Sequence, residues 1–550
     1  MIALDLETTS LDTKTCDIVA VSLSLDGKSA RVLPTLEEAL IYVQDKEIVV
    51  HNAAFDVAIL DRFGVHRKGK YWDTMISGYI LGAENVGLKD RALRELGIEM
   101  QEFDQLGGKG SDASTVPWDK LAPYAGHDAA MTYRLFEKDV KGIGTDKRRL
   151  FDLEQELTWV LADMSDRGFL INTERLEEFK TELSDRMVVL HALVIKSVGH
   201  DINPESTQQI EKLLFEELRL KPGKKTKSKA RYAVDDEVLK GLRGQHPVIE
   251  HLLNYRSVSK LLGTYVEGIY KHIGPDGCVH SRFKQTGTRT SRLSSADPNL
   301  QNQPNRTAEG RRIKRIFVAR HGKWLCSFDL KQIELVTAAA LSGDPTMLGV
   351  FQRGEDIHEH TRIHVLHGQG DRTLSKSVNF GSLYRLEPAG LVRYLASECE
   401  PPMIITMQQA KAIIDGLLNQ YPVLRQWQDR IVEDVKVCGY TETALGFRRY
   451  YPGVQYVKGY ALEDILKAAV ASPVQGTAAI IIKQAMVKLK GYPMLVQVHD
   501  DLVFELDDVT EGLDIARAMR EAGKEIIGIE TGVEIKYGKD WGSLISLGEL

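Results

Sequence analysis

Two groups of carboxylates stand in this sequence where an acid can hold a metal ion. The first is Asp5, Glu7, Asp56 and Asp128. Over 2–7 the apolar Ile2, Leu4 and Leu6 alternate with Ala3, Asp5 and Glu7, so a strand puts Asp5 and Glu7 on one face. Asp56 falls on the first turns of a helical pattern in HNAAFDVAILDRF, and Tyr124 and Asp128 are one helical turn apart in LAPYAGHDAAMTYRLF. Four carboxylates gathered from strand and helix ends make a hard-cation site with oxygen ligands. Such a site suits two metals that activate a water and steady the leaving oxygen of a phosphodiester. The second group is Asp329, delivered at the end of the apolar run 324–328, with Asp500 and Asp501 in LVQVHDDLVFEL. An isolated acidic pair is ordinarily a solvated turn, but two buried carboxylates repel and need cations. Asp329 can meet Asp500 on a neighbouring strand. Between them, Arg372, Lys376, Phe380 and Tyr384 recur every four residues and form one helical stripe of two cations and two aromatics, suited to phosphates and to a base and sugar.

The elements that must position these groups read in order. Strand patterns at 2–7, 18–25 and 48–50 with intervening helices make residues 1–148 one α/β unit. A connecting helix closes at Gly168, and 172–285 is mostly helical with a lysine-rich tip at 221–231. That tip, with Lys224, Lys225 and Lys227, suits gripping duplex backbone without reading sequence. The stretch 286–304 is polar, and after the strand ending at Asp329 a helix follows with Gly343 at its C-terminus. Residues 495–506 read as strand, turn and strand, with both aspartates in the turn.

At 550 residues the chain exceeds one core, so two or more domains are expected. The net charge of −6 predicts no polyanion partner, yet basic charge is concentrated at 221–231 and in GRRIKR at 310–315. Five scattered cysteines without CxxC spacing argue against a disulfide framework or a zinc site and fit a reducing, cytoplasmic compartment. The N-terminus carries acids and no basic stretch, so a secretory signal is not expected. The most apolar stretch, 468–482, is broken by Ser472, Pro473, Gln475 and Gly476, so no membrane span is expected.

The order DxE, NxxFD, YxxxD resembles the proofreading type of 3′→5′ exonuclease. That resemblance implies Asp5, Glu7, Asp56 and Asp128 as metal ligands, Tyr124 as the group orienting the attacking water, and Asn52 and Phe55 along the path of the single-stranded end. Downstream, TSRLSSADPNLQNQP, DLKQIEL, RTLSKSVNFGSLY, ETALGFRRYYP, SPVQGTAA, QVHDDLVFE and YGKDW occur in the order of the family A DNA polymerases, those similar to bacterial polymerase I. No stretch resembles the 5′ nuclease domain, a layout expected of phage or organellar enzymes.

The resemblance implies a multidomain α/β and α+β architecture. An RNase H-like exonuclease domain at 1–148 precedes a right-hand polymerase domain at 149–550, with thumb about 172–285, palm about 286–345 and 441–550, and fingers about 346–440. It implies that Asp329 and Asp500, completed by the Leu330 carbonyl, hold two Mg²⁺, with Mn²⁺ able to substitute, and that Asp501 assists. Arg372, Lys376 and His358 would meet the triphosphate of a dNTP, Lys376 also protonating pyrophosphate. Glu334 would block a ribose 2′-hydroxyl, Tyr384 would cover the nascent pair, and Phe380 would select against dideoxynucleotides. Arg292 and Gln475 would contact the minor groove of primer–template DNA, and His499 the primer terminus. A monomer acting with other replisome proteins is expected. The chain departs from the family pattern at Asp501 (usually Glu), Lys331 (Ser), Val336 (Arg), Arg385 (Gly), Lys467 (Arg) and Ala471 (Asn). A nuclease with a DNA-gripping module, or a binding scaffold with relic carboxylates, are the alternatives, and retention of Asp329 and Asp500 speaks against both.

Overall fold

The computed structural model describes the chain except residues 45, 66–70, 109, 111, 224, 227–230, 305–306, 369, 399–402 and 550. Two five-stranded sheets carry the acids. In the first, Ile2–Thr8 is central, antiparallel to Ile18–Ser24 and parallel to Ile48–Val50, with Arg31–Leu33 and Tyr71–Asp73 at the edges. Buried Ile2, Leu4 and Leu6 pack with Val57 and Leu60 of the helix Ala53–Arg62, so the strand's other face, with Asp5 and Glu7, turns to the helix Trp118–Gly142.

The second sheet is antiparallel throughout, in the order Met494–Val498, Asp501–Leu506, Trp324–Leu330, Val533–Gly538, Ile545–Glu549. Phe328, Leu502 and Phe504 bury one face under the helices Tyr460–Lys488, Gly512–Ile527 and the connecting helix Thr145–Arg167. The connecting helix stops at Gly168, whose φ of +62° a side chain would strain. The helix Tyr460–Lys488 has the length and composition to cross a bilayer but is packed inside the protein, 72 % of its most apolar window buried.

The turn expected at 495–506 is shorter than its sequence suggests. His499, at φ +59°, and Asp500 make the turn, and Asp501 is already the first residue of the next strand, paired with Asp329. The adjacent aspartates are thereby separated into different environments.

Two candidate catalytic sites

In the first sheet the strand Ile2–Thr8 presents Asp5 and Glu7 to Asp128, and ligand atoms of the three lie within 4.8 Å of one another. Asp56 joins from its own helix, Oδ1 accepting from the Leu6 N–H at 3.2 Å. Burial raises all four carboxyls, Asp5 to about 6, Glu7 to about 9 and Asp128 to about 8, with Asp56 well above the carboxylate range. Repulsion among them adds to burial for Glu7, Asp56 and Asp128. Asp5 Oδ2 is buried with no hydrogen-bond partner. An orphaned carboxylate oxygen among like charges is a donor set that a divalent cation satisfies.

Tyr124, one turn before Asp128, is pushed up by burial and then by the neighbouring carboxylates. Lys89 Nζ donates to its hydroxyl at 2.9 Å and lies 4.6 Å from its ring centroid. Nothing in the spacing around Lys89 marks it in the sequence. A second group missed there is Asp73, whose carboxylate accepts from the N–H groups of Asn52 (3.1 Å), Ala53 (2.8 Å) and Met75 (2.8 Å). It holds Asn52 at φ +76° and so aims the helix bearing Asp56. The capping pattern WDT was the available signal.

The second site is a cavity of about 1030 Å³. It brings together Asp329 and Asp500 with Glu334, Arg372, Lys376, Phe380 and His358, and on its other side Arg292, Gln475 and His499. Burial first, then Asp500 and Asp501, pushes Asp329 up to about 7, while Asp500 rises to about 6, again chiefly by burial. The Leu330 N–H donates to the Asp500 carbonyl at 3.0 Å and ties the two acid-bearing segments together. The cationic stripe is the helix Arg372–Leu383, Tyr384 being its terminal residue. Arg372 is held by Asp356 at 2.7 Å, a partner the sequence reading missed, although Asp356 also caps the helix Ile357–His364 through the His358 N–H. Tyr384 donates to one Glu334 oxygen, and Arg292 donates to the other at 2.5 Å.

Three groups of expected site residues stand apart from this arrangement. Asp501, paired opposite Asp329, is not among the residues lining the cavity: its Oδ1 accepts from Ser327 at 2.7 Å, and Lys314 and Lys536 offset part of the rise that burial gives its carboxyl. His358 lines the cavity but is 2 % exposed, with Nδ1 accepting from Asn379 at 2.9 Å. Burial lowers it to about 4, so at neutral pH it offers a phosphate no charge. Of the lysine tip, Lys225 bridges to Tyr232, its Nζ 5.6 Å from the ring centroid, whereas Lys224 and Lys227 lie outside the described residues.

The comparisons with known proteins match this arrangement. Residues 173–543 match the family model of DNA polymerase family A, and 1–139 that of the 3′-5′ exonuclease. This chain belongs to DNA polymerase family A. DNA polymerase I of Borreliella burgdorferi is 30 % identical over 580 residues, 99 % of this chain and 62 % of its own length. The thermostable DNA polymerase I of Thermus aquaticus is 36 % identical over 439 residues, 76 % of this chain and 51 % of its own. The chain thus spans about half to three-fifths of the length of these family A relatives. Among solved structures, the polymerase domain of Pol1 from M. smegmatis, in complex with DNA primer-template and dNTP, superposes with a TM-score of 0.83 at 27 % identity. That match covers 98 % of this family A chain and 95 % of the solved one.

Proposed function

We propose that the chain is a template-directed DNA polymerase that adds dNTPs to a primer 3′-hydroxyl and removes mispaired ends with its own 3′→5′ exonuclease. The observation that carries this reading is the single cavity in which Asp329 and Asp500 face Arg372, Lys376 and Phe380. In each site the carboxylates fit two Mg²⁺, or Mn²⁺ in their place. Such ions lower the pKa of the attacking oxygen and neutralise charge on the phosphates when bound.

The chain's own residues do the rest. Arg372, released from Asp356, and the exposed Lys376 bind the triphosphate, and Lys376 protonates the departing pyrophosphate. Glu334, clamped by Arg292 and Tyr384, presents a fixed wall where a ribose 2′-hydroxyl would lie. Arg292, Gln475 and His499 line the primer side. In the exonuclease site Tyr124 orients the water, and Lys89 fixes the phenol and adds positive charge beside the scissile phosphate. Both sites are complete within one chain, which supports a monomer on primer–template DNA, with other replisome proteins as further partners. We assign 1–148 to the exonuclease and 149–550 to the polymerase.

Primer extension with Mg²⁺ and dNTPs tests the reading. Asp500→Asn should abolish extension and keep degradation of a single-stranded 3′ end, whereas Asp5→Ala should do the reverse. Extension by Asp500→Asn at the wild-type rate would refute the polymerase assignment.

A further inference from the structure

One residue lining the polymerase cavity, Lys483, belongs to a buried ion pair that neither mechanism uses. Lys483, on the helix Tyr460–Lys488, donates to Glu154 Oε1 at 2.6 Å, and each side chain is 1 % exposed. Glu154 belongs to the connecting helix Thr145–Arg167, in the stretch between the segments 1–139 and 173–543 that the family models match. Removing two charges from water is costly, and a well-packed apolar pair commonly holds a fold as well. Stability alone therefore gives weak reason for the pair, and its geometry gives a better one.

What the pair touches converges on the loop 285–292. Gln285 Nε2 donates to the Glu154 carbonyl at 2.7 Å and to its carboxylate at 2.9 Å. Lys483 Nζ reaches Ser291 Oγ at 3.3 Å. Ser291 is fully buried at φ +58°, a left-handed conformation that strains a non-glycine residue and persists only where its surroundings hold it. The same loop is gripped from the exonuclease side, where the Tyr79 hydroxyl donates to the Thr288 carbonyl at 2.8 Å. Thr288 Oγ1 in turn donates to the Arg292 carbonyl at 2.7 Å. Arg292 then enters the polymerase cavity and clamps Glu334.

We propose that Glu154 and Lys483 are positioning residues that set Arg292 through the strained Ser291, and that Tyr79 makes the same loop a joint between the exonuclease domain and the primer side of the polymerase cavity. The proposal rests on the polymerase reading above. It is tested on the full chain by single-nucleotide extension with Lys483→Met, Glu154→Gln and the double variant, each also combined with Arg292→Ala.

A misplaced Arg292 should lower kcat for extension about tenfold in Lys483→Met and in the double variant, with KM for dNTP changed less than about twofold. Degradation of single-stranded DNA should be unchanged. In the Arg292→Ala background Lys483→Met should add less than about twofold, because both act on one group. The double variant leaves no uncompensated charge, so a merely structural pair would recover wild-type kcat in it. Where charge removal unfolds the chain, Tyr79→Phe carries the test, with extension slowed about threefold for the loss of one hydrogen bond and the nuclease intact. Wild-type extension by the folded double variant overturns the proposal, as do Lys483 and Arg292 effects that multiply or, in the fallback, an unaffected Tyr79→Phe. If the unsubstituted chain extends no primer, the polymerase reading fails and this proposal with it; normal extension with indifferent variants refutes this proposal alone.

Discussion

Divalent cation binding to the exonuclease site should release protons, and the number follows from the cluster. Without metal, Glu7 is pushed up to about 9 and Asp128 to about 8, both because burial and neighbouring carboxylates disfavour the charged form. At pH 7 both carry protons, whereas Asp5, at about 6, is mostly ionised. A cation takes only the deprotonated ligands, so Mn²⁺ binding at pH 7 should expel about two protons from Glu7 and Asp128, with Asp56, also raised by burial, adding to that count, the protons being shared across the cluster rather than owned by single residues. The sign follows from the raised values: affinity is full at high pH and lost as pH falls, by about a hundredfold between pH 7 and pH 6 for two displaced protons. Calorimetric titration in buffers of differing ionisation enthalpy reads the proton count as a slope. An Asp329→Asn background removes the share of the polymerase site. Glu7→Gln should lower the count by about one. A slope below about half a proton, or no change in Glu7→Gln, would show that the carboxylates are already ionised and that the burial argument is wrong.

The same shifts act on stability with the opposite consequence for substitution. Because Glu7 and Asp128 are raised in the folded state, the metal-free protein loses stability as pH climbs from the ordinary carboxylate range towards about 9. Glu7→Gln in EDTA should therefore melt about 5 °C higher than the parent at pH 8, as roughly 2 kcal/mol gives a domain of this size, and only slightly higher at pH 5; a lower midpoint at pH 8 refutes it. In the polymerase site, Asp500→Asn should lower extension at least about a thousandfold and Asp501→Asn about tenfold or less, since only Asp500 lines the cavity; equal losses would return Asp501 to the metal. Phe380 should disfavour dideoxynucleotides, and Phe380→Tyr should raise chain termination at fixed dNTP; efficient termination by the parent contradicts this.

The strand Ile2–Thr8, the helix carrying Tyr124 and Asp128, the stripe at 372–384 and the strand carrying Asp329 are all legible, because each shows itself in a local pattern, an apolar alternation or run or a fixed helical spacing of polar and aromatic groups. Spacing within an element also shows which face a side chain shares, and so period-2 alternation alone puts Asp5 and Glu7 together. The groups that escaped reading are those whose significance depends on a distant partner: Lys89 on Tyr124, Asp73 beneath Asn52, and Asp356 holding Arg372.

The aspartate pair in LVQVHDDLVFEL shows where the division falls. Its sequence determines two apolar strands flanking two acids, and hence that the acids sit at a sheet end. It does not determine which acid meets Asp329 across the cavity. That is decided by pairing, because Asp501 enters the strand opposite Asp329 and turns to Ser327, while His499 and Asp500 form the turn and leave Asp500 in the lining of the cavity that also holds Arg372 and Lys376. Local sequence sets periodicity and turn chemistry, but burial, repulsion and charge neutralisation act between residues that only the folded chain brings within a few ångströms.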